Sequence, residues 1–299
     1  MSLIHCQNVI KKYGSNIALN NVSFHVESGS PIALIGPNGA GKTTLFKLLC
    51  GFIPATSGDI NILGERTTSS ALTGKLAALP QDSVLDPSLS VAKQLQFFAQ
   101  LQGFSKAHAV KESDRVLEMV ELSHIANEKP TALSHGMSKR VAIAQAFIGK
   151  PKLILLDEPT AGIDPANAKQ IRRIITEHQS SIDFLISSHN LDELEKLCDQ
   201  VLYLDRGHLK QALRIQQHSD QQAYITLTMQ QNVSESLLLE LKQLDKVIDL
   251  ELSDPHCIIL QYQHDENSDI ELHILTLLSK NKTQYKSIMR GRSLEDTLF

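Results

Sequence analysis

The sequence has few cysteines and no long apolar run, and both shortages narrow the possible classes of protein. Its four cysteines (Cys6, Cys50, Cys198 and Cys257) share no metal-ligand spacing, so we expect reduced thiols. Apolar stretches such as Leu153 to Leu156 fall far short of the roughly 18 residues that a membrane-spanning helix needs. The opening residues mix polar and apolar side chains and give no secretory signal. These observations predict a cytoplasmic protein.

Basic residues are too dispersed for a nucleic-acid-binding protein. The net charge is −4, and no stripe of lysine and arginine is interleaved with aromatic residues. Residues 1–214 carry 22 basic and 20 acidic residues, whereas residues 215–299 carry 7 and 13. The length of 299 residues is typical of two domains, and the change in charge balance places their boundary near residue 214. We therefore predict domains at 1–214 and 215–299, with no nucleic acid as partner.

A glycine-rich segment has the spacing of a phosphate-binding loop. Its candidate contacts are Gly36, Pro37, Asn38, Gly39, Ala40, Gly41, Lys42, Thr43 and Thr44. The glycines let the backbone curl so that its N–H groups point at phosphate oxygens, Lys42 adds positive charge, and Thr43 offers a hydroxyl to Mg²⁺. An apolar strand pattern precedes the segment and a helix pattern follows it, as the motif requires. A nucleoside triphosphate is the predicted ligand.

Two acidic residues follow a second apolar run. Leu153 to Leu156 predicts a buried strand, and Asp157 and Glu158 then emerge at its carboxyl end. In phosphate-loop enzymes an aspartate at this place holds Mg²⁺, and the next acid can orient or deprotonate a water molecule. A further strand, at 182–188, brings His189 to the same edge of a parallel sheet. A purely structural histidine is the alternative.

Several other features are weak when taken singly. Tyr13 precedes the loop and is a candidate for stacking on a base, while Gln81 follows a short apolar run. Ser134 opens a predicted helix, where it forms either an anion site or only a cap. Apolar residues recur at helical spacing with no strand between 91 and 122, which predicts a helical insertion at about 85–150.

Together and in this order, these motifs resemble those of the ATP-binding subunit of ABC transporters, over residues 3 to about 212. The resemblance implies an α/β fold: a P-loop (RecA-like) ATPase core with an antiparallel β subdomain and the helical insertion. It implies that Tyr13 and the loop bind ATP, that Thr43, Gln81 and Asp157 hold Mg²⁺, and that Glu158 and His189 are catalytic. It assigns Asp164 to the ATP site as well. The resemblance also identifies Ser134, His135, Gly136 and Met137 as the family's signature segment. In the family this segment covers the ATP that is bound to a second copy of the subunit.

The signature departs from the commonest family pattern, because His135 and Met137 replace glycine and glutamine. Such Ser-x-Gly-Met variants resemble an exporter group that includes drug, copper-processing, gliding and cytochrome-assembly ATPases. The resemblance thus implies ATP and Mg²⁺ as cofactors, a head-to-tail homodimer, and a separate membrane permease at the inner face of the cell membrane. The alternatives are a soluble ABC-type ATPase, or a regulatory or assembly protein with slow turnover, which only His135 suggests.

The second domain has its own pattern. Strand and helix patterns over residues 223–299 follow the order βαββαβ, the ferredoxin-like arrangement of a small α+β domain. We expect a packing, dimerising or permease-docking domain, and a ligand sensor is the alternative. A metal site is disfavoured, because His256, Cys257, His264 and His273 lack ligand spacing.

Overall fold

The computed structural model describes residues 2–188, 191, 194, 197–214, 222–263 and 269–291 of the chain. The chain divides into two compact units, Met1–Ile215 and Gln216–Phe299. Among the residues described, no helix is both long enough and apolar enough to cross a bilayer.

Over its described residues, the first unit contains two sheets and their helices. In chain order its elements are β1 (Ser2–Tyr13), β2 (Asn16–Glu27), β3 (Ile32–Ile35), α1 (Lys42–Leu49), β4 (Ser57–Ile62), β5 (Glu65–Arg66), β6 (Leu76–Leu79), α2 (Val91–Leu101), α3 (Lys106–Met119), α4 (His135–Ala146), β7 (Leu153–Asp157), α5 (Pro165–His178), β8 (Asp183–Ser187), β9 (Gln200–Asp205) and β10 (His208–Arg214). Short 3₁₀ helices lie at Ser70–Leu72, Ser123–Ile125 and Pro130–Ala132.

The larger sheet positions the functional edge. Its strand order is β10-β9-β3-β8-β7-β6, and all neighbours pair in parallel except β9 and β10. Strands β3 and β7 are buried along their whole length, as expected where helices cover both faces of a parallel sheet. The carboxyl ends of β3, β7, β8 and β9 therefore meet at one edge, where ligands of such sheets bind.

The smaller sheet is antiparallel, with the order β2-β1-β4-β5. The sequence pattern predicts the first two strands at residues 3–9 and 21–26. Instead β1 continues to Tyr13, which pairs with Asn16 at the tip of the hairpin. Register shifts at Val9 interrupt the two-residue alternation. The alternation therefore predicts a strand that is shorter than the one observed.

The helical insertion lies between β6 and β7, and serine residues cap its helices. Ser90, Ser105 and Ser134 each accept a backbone N–H from the first turn of the helix that follows. Helix α4 therefore begins at His135, directly after its cap, whereas the sequence pattern predicts a helix over residues 138–149 with residues 133–137 leading into it. The signature segment thus forms the amino-terminal turn of a helix.

The second unit contains β11 (Gln222–Met229), α6 (Glu235–Lys242), β12 (Val247–Asp254), β13 (Cys257–Gln263), α7 (Ile270–Lys280) and β14 (Tyr285–Arg290). Its antiparallel strands lie in the order β12-β13-β11-β14, around a core that includes Ile225, Leu241, Ile258 and Ile274. This is the βαββαβ order expected from the sequence. His264 lies outside the described residues, and among those described no His, Cys, Asp or Glu residues group as a metal site.

Candidate nucleotide-binding site

The glycine-rich loop follows β3 and passes very close to neighbouring backbone. Gly36 has a φ of 151°, and a Cβ atom added there would lie 2.0 Å from the carbonyl oxygen of Leu204. Gly41 has a φ of 104°, and a Cβ there would lie 2.8 Å from the carbonyl oxygen of Ala18. Both positions combine a left-handed backbone with a close approach, so only glycine fits. The loop is therefore tightly packed between β2 and β9.

Lys42 begins helix α1 and folds back across the loop. Its side chain is mostly buried, and its Nζ donates to the carbonyl oxygens of Gly36 at 2.6 Å and Pro37 at 3.2 Å. Burial lowers the pKa of Lys42, and the carboxylates of Glu158 and Asp157 act in the opposite direction. The two hydrogen bonds therefore hold the Lys42 amine beside the loop N–H groups that would receive phosphate oxygens.

The two acids lie at the end of β7 and are 3% and 5% exposed. The Oγ atom of Ser187, at the end of β8, donates to Oδ1 of Asp157 at 2.5 Å. The same Oγ accepts the backbone N–H of Glu158 at 2.9 Å. Glu158 has a φ of 51°, a conformation that costs a non-glycine residue about 1–3 kcal/mol and often marks a functional position.

A single cleft of about 630 Å³ collects most of the predicted site residues. Those lining it are Tyr13, Asn38, Gly39, Ala40, Gly41, Lys42, Thr43, Thr44, Gln81, Asp157 and Glu158. They come from β1, the glycine-rich loop, the segment after β6, and the end of β7. Residues separated by more than a hundred positions thus meet at one edge of the sheet, as the parallel-strand argument predicts.

The cleft also contains residues that the sequence analysis missed. These are Asn16, Ile17 and Ala18 of β2, and Arg206 and Gly207 of the β9–β10 turn. The N–H of Gly207 donates to the carbonyl of Ala40 at 2.9 Å, which fastens this turn to the loop. One signal was available, because β9 runs parallel to β3 and must end at the same edge.

Tyr13 lies at the hairpin tip with its side chain 48% exposed. The Nζ atom of Lys11 lies over this ring at 5.1 Å from its centroid, and it also donates to the carbonyl of Pro54. A cation–π contact of this kind orients an exposed ring. Tyr13 is therefore held at the rim of the cleft, where a planar group could stack on it.

The remaining predicted site residues do not line this cleft. Ser134 caps α4 by accepting the N–H of Met137 at 3.2 Å. Asp164 caps α5 and accepts from the Asn167 side-chain amide at 2.6 Å; the hydrogen bonds from Asn167 lower the pKa of Asp164. Gly136 lies against Asn167, whose Nδ2 atom would be 2.4 Å from an added Cβ. The signature helix and the Asp164 turn are thus packed together as one surface.

His189 lies outside the described residues. The strand that leads to it, β8, ends at Ser187 beside β7. Its predicted role at this edge therefore remains a prediction.

Gln81 links the cleft to a second cavity. A groove of about 420 Å³ is also lined by Gln81, together with Val84, Pro130 and His135. Lys139 of α4 donates from Nζ to the carbonyl of Gln81 at 3.2 Å. Burial lowers the pKa of Lys139. The negative charges of Asp157, Asp82 and Glu158 act to raise this pKa, but burial has the larger effect. The sequence analysis missed this buried cation.

The oxygen atoms available in the cleft suit a magnesium ion. Asp157 contributes a carboxylate, Thr43 a hydroxyl and Gln81 a side-chain amide, and all three line the same cavity. Mg²⁺ prefers oxygen ligands and retains water and phosphate ligands besides one or two protein groups. The donor set therefore fits Mg²⁺ bound together with a phosphate group.

Known proteins of one family resemble this chain. The family model described as ABC transporter matches residues 19–161. The linearmycin resistance ATP-binding protein LnrL of Bacillus subtilis is 32% identical, over 69% of this chain and 68% of that protein. A Nod factor export ATP-binding protein I of Burkholderia orbicola is 36% identical, over 68% of each chain.

Solved structures show the same relationship. A dimeric ATP-binding cassette in a post-hydrolysis state with ADP and Pi has a TM-score of 0.65 and 25% identity, over 71% of this chain and 98% of its own. An ATP-binding subunit of an ABC transporter has a TM-score of 0.65 and 30% identity, over 71% and 90%. These likenesses confirm the predicted α/β P-loop cassette fold.

Proposed function

Because the chain belongs to the family of ABC transporter ATP-binding proteins, we propose that it energises an exporter through Mg²⁺-dependent ATP hydrolysis in a head-to-tail dimer. ATP binding and hydrolysis follow from the family. The observation that carries the site assignment is the cleft that joins the glycine-rich loop to Asp157 and Glu158. The export direction is supported by relatives named for Nod factor export and for linearmycin resistance.

In this proposal the loop and Lys42 bind the phosphates of ATP, while Tyr13 stacks on adenine with the ring face away from Lys11. Asp157, Thr43 and Gln81 hold Mg²⁺, which supplies positive charge at the phosphoryl group being transferred. Glu158 takes a proton from the attacking water, and His189 holds the γ-phosphate and that water. Catalysis then consists mainly of positioning and electrostatic stabilisation.

The signature segment completes the site in a second copy of the chain. Within one chain, Ser134, Gly136 and Asp164 lie outside the ATP cleft, although the family resemblance assigns them to ATP. A head-to-tail dimer resolves this, because Ser134 and Gly136 of one copy then cover the ATP of the other. The free N–H groups at the start of α4 suit an anion there.

The membrane permease is the proposed partner, and the chain acts at the inner face of the cell membrane through it. The helical insertion and Gln81 transmit closure of the dimer to that partner. Support comes from the groove beside Gln81, where the Val84 side chain is 89% exposed. Leu85, Pro87 and Pro130 line the same groove, and apolar side chains grouped in this way are typical of an interaction surface.

The test is affinity purification of the tagged chain from detergent-solubilised membranes. We expect a multi-spanning membrane protein to co-purify, and ATP turnover to change when the chain is separated from it. Val84→Asp should lower the recovery of that protein without changing ATP binding, because Val84 does not line the ATP cleft. Recovery of ribosomes instead of a membrane protein would contradict the exporter proposal.

A further inference from the structure

Ser187 is a buried polar residue that the motifs of the ATP site do not include. It is the last residue of β8, and its relative exposure is 0%. In the register of the central sheet it lies directly opposite Asp157 of β7. Its hydroxyl group is therefore placed beside the two acids by strand pairing and not by a flexible loop.

The single hydroxyl of Ser187 contacts both acidic residues. Its hydrogen is donated to Oδ1 of Asp157 at 2.5 Å, and its oxygen accepts the N–H of Glu158 at 2.9 Å. The carbonyl of Ser187 lies 3.2 Å from the same N–H. A hydroxyl has only one hydrogen, and in Ser187 this hydrogen points at the carboxylate of Asp157. A lone pair of the same oxygen is then available to accept the N–H of Glu158.

These contacts restrain the two groups that the proposed reaction uses. The hydrogen bond to Oδ1 restricts rotation of the Asp157 carboxylate, while the contact with the Glu158 N–H supports a backbone held at a φ of 51°. Partners of metal-binding carboxylates fix the orientation of the ligand in this way. An interaction with a charged acceptor is also stronger than one between neutral groups.

We propose that Ser187 is a positioning residue of ATP hydrolysis, whose hydroxyl orients Asp157 for Mg²⁺ and holds the backbone of Glu158. This inference rests on the proposed function of the cleft. A purely structural hydroxyl is the competing explanation, since a fully buried serine can contribute only to folding stability. The positioning role predicts that the Mg²⁺ requirement changes when the hydroxyl is removed. The structural explanation predicts that it does not.

The chain offers a matched control for that comparison. Ser113 of α3 is also fully buried, and its Oγ donates to the backbone carbonyl of Ala92 at 3.4 Å. Neither Ser113 nor Ala92 lines the ATP cleft. Ser113→Ala therefore removes a buried hydroxyl of the same size without touching either acid.

The experiment measures three quantities for the full-length wild type, Ser187→Ala and Ser113→Ala. They are the thermal unfolding midpoint, the affinity for a fluorescent ATP analogue in EDTA, and the Mg²⁺ concentration that half-saturates Mg²⁺-dependent binding of that analogue. For Ser187→Ala we expect the half-saturating Mg²⁺ concentration to rise about 10- to 100-fold. Affinity in EDTA should stay near the wild-type value. Ser113→Ala should leave both binding quantities unchanged.

A hydroxyl-retaining variant strengthens the test. Ser187→Thr should bring the Mg²⁺ requirement back toward the wild-type value, even if its added methyl group lowers the unfolding midpoint. An unchanged Mg²⁺ requirement in Ser187→Ala would overturn the role of Ser187 alone. If the wild type bound the analogue equally well with and without Mg²⁺, the proposed Mg²⁺ site would be wrong. The role of Ser187 would then be wrong as well.

Discussion

Glu158→Gln is expected to lower ATP turnover by about two to four orders of magnitude, the range that a general base contributes. Glutamine has nearly the same shape but accepts no proton from water. The backbone contacts of residue 158 with Ser187 do not depend on the side chain, so the local structure should persist. ATP should still bind, because Lys42 and the glycine-rich loop are untouched.

The measurement is steady-state phosphate release, alongside binding of a fluorescent ATP analogue. Glu177→Gln is a suitable control, because Glu177 is exposed on α5 and pairs only at the surface, with Arg173 at 3.4 Å. An exposed pair of this kind contributes about 0–1 kcal/mol to stability, and the control should hydrolyse ATP normally. Normal turnover in Glu158→Gln would show that Glu158 is not the base.

Gly36→Ala is expected to abolish detectable ATP binding. A Cβ atom at this position would lie 2.0 Å from the carbonyl oxygen of Leu204, well inside van der Waals contact. The backbone fixes the position of the Cβ atom, and the oxygen belongs to the backbone of β9, so neither atom can rotate away and β9 and the loop would have to separate. The N–H groups that bind phosphate would then lose their arrangement.

The matched control is Gly64→Ala, between β4 and β5. Gly64 also has a positive φ, of 81°, but nothing lies within 4 Å of an added Cβ. This variant should lose about 1–2 kcal/mol of stability through left-handed strain and bind ATP normally. Titration with a fluorescent ATP analogue distinguishes the two variants. Equal ATP affinity in both would contradict the steric argument.

The parts of the site that the sequence could predict depend on local pattern. The spacing from Gly36 to Thr44 carries its own chemistry, and an apolar run ending in Asp157 and Glu158 describes a buried strand with acids at its edge. Parallel pairing then brings the two segments together without further information. The βαββαβ order of the second unit followed from alternation and helical spacing in the same way.

The parts that the sequence could not predict depend on contacts between distant segments. Ser187 matters through its register opposite Asp157, and Lys139 through its reach to the carbonyl of Gln81. Arg206 enters the cleft because Gly207 is bonded to Ala40. None of these residues has a local pattern that sets it apart. The sequence pattern ends the first strand at Val9 and not at Tyr13 for a different reason. Register shifts around Val9 break the alternation of buried and exposed residues.

The central claim is that one ATP site is built from two copies of the chain. Its most direct test co-expresses two differently tagged variants, Ser134→Arg and Glu158→Gln, and purifies the mixed dimer through both tags. In a head-to-tail dimer, the Ser134→Arg copy keeps its own Glu158 and receives an intact signature from its partner. We expect the mixed dimer to hydrolyse ATP at one site, although neither variant does so alone. A mixed dimer no more active than either variant would contradict the account.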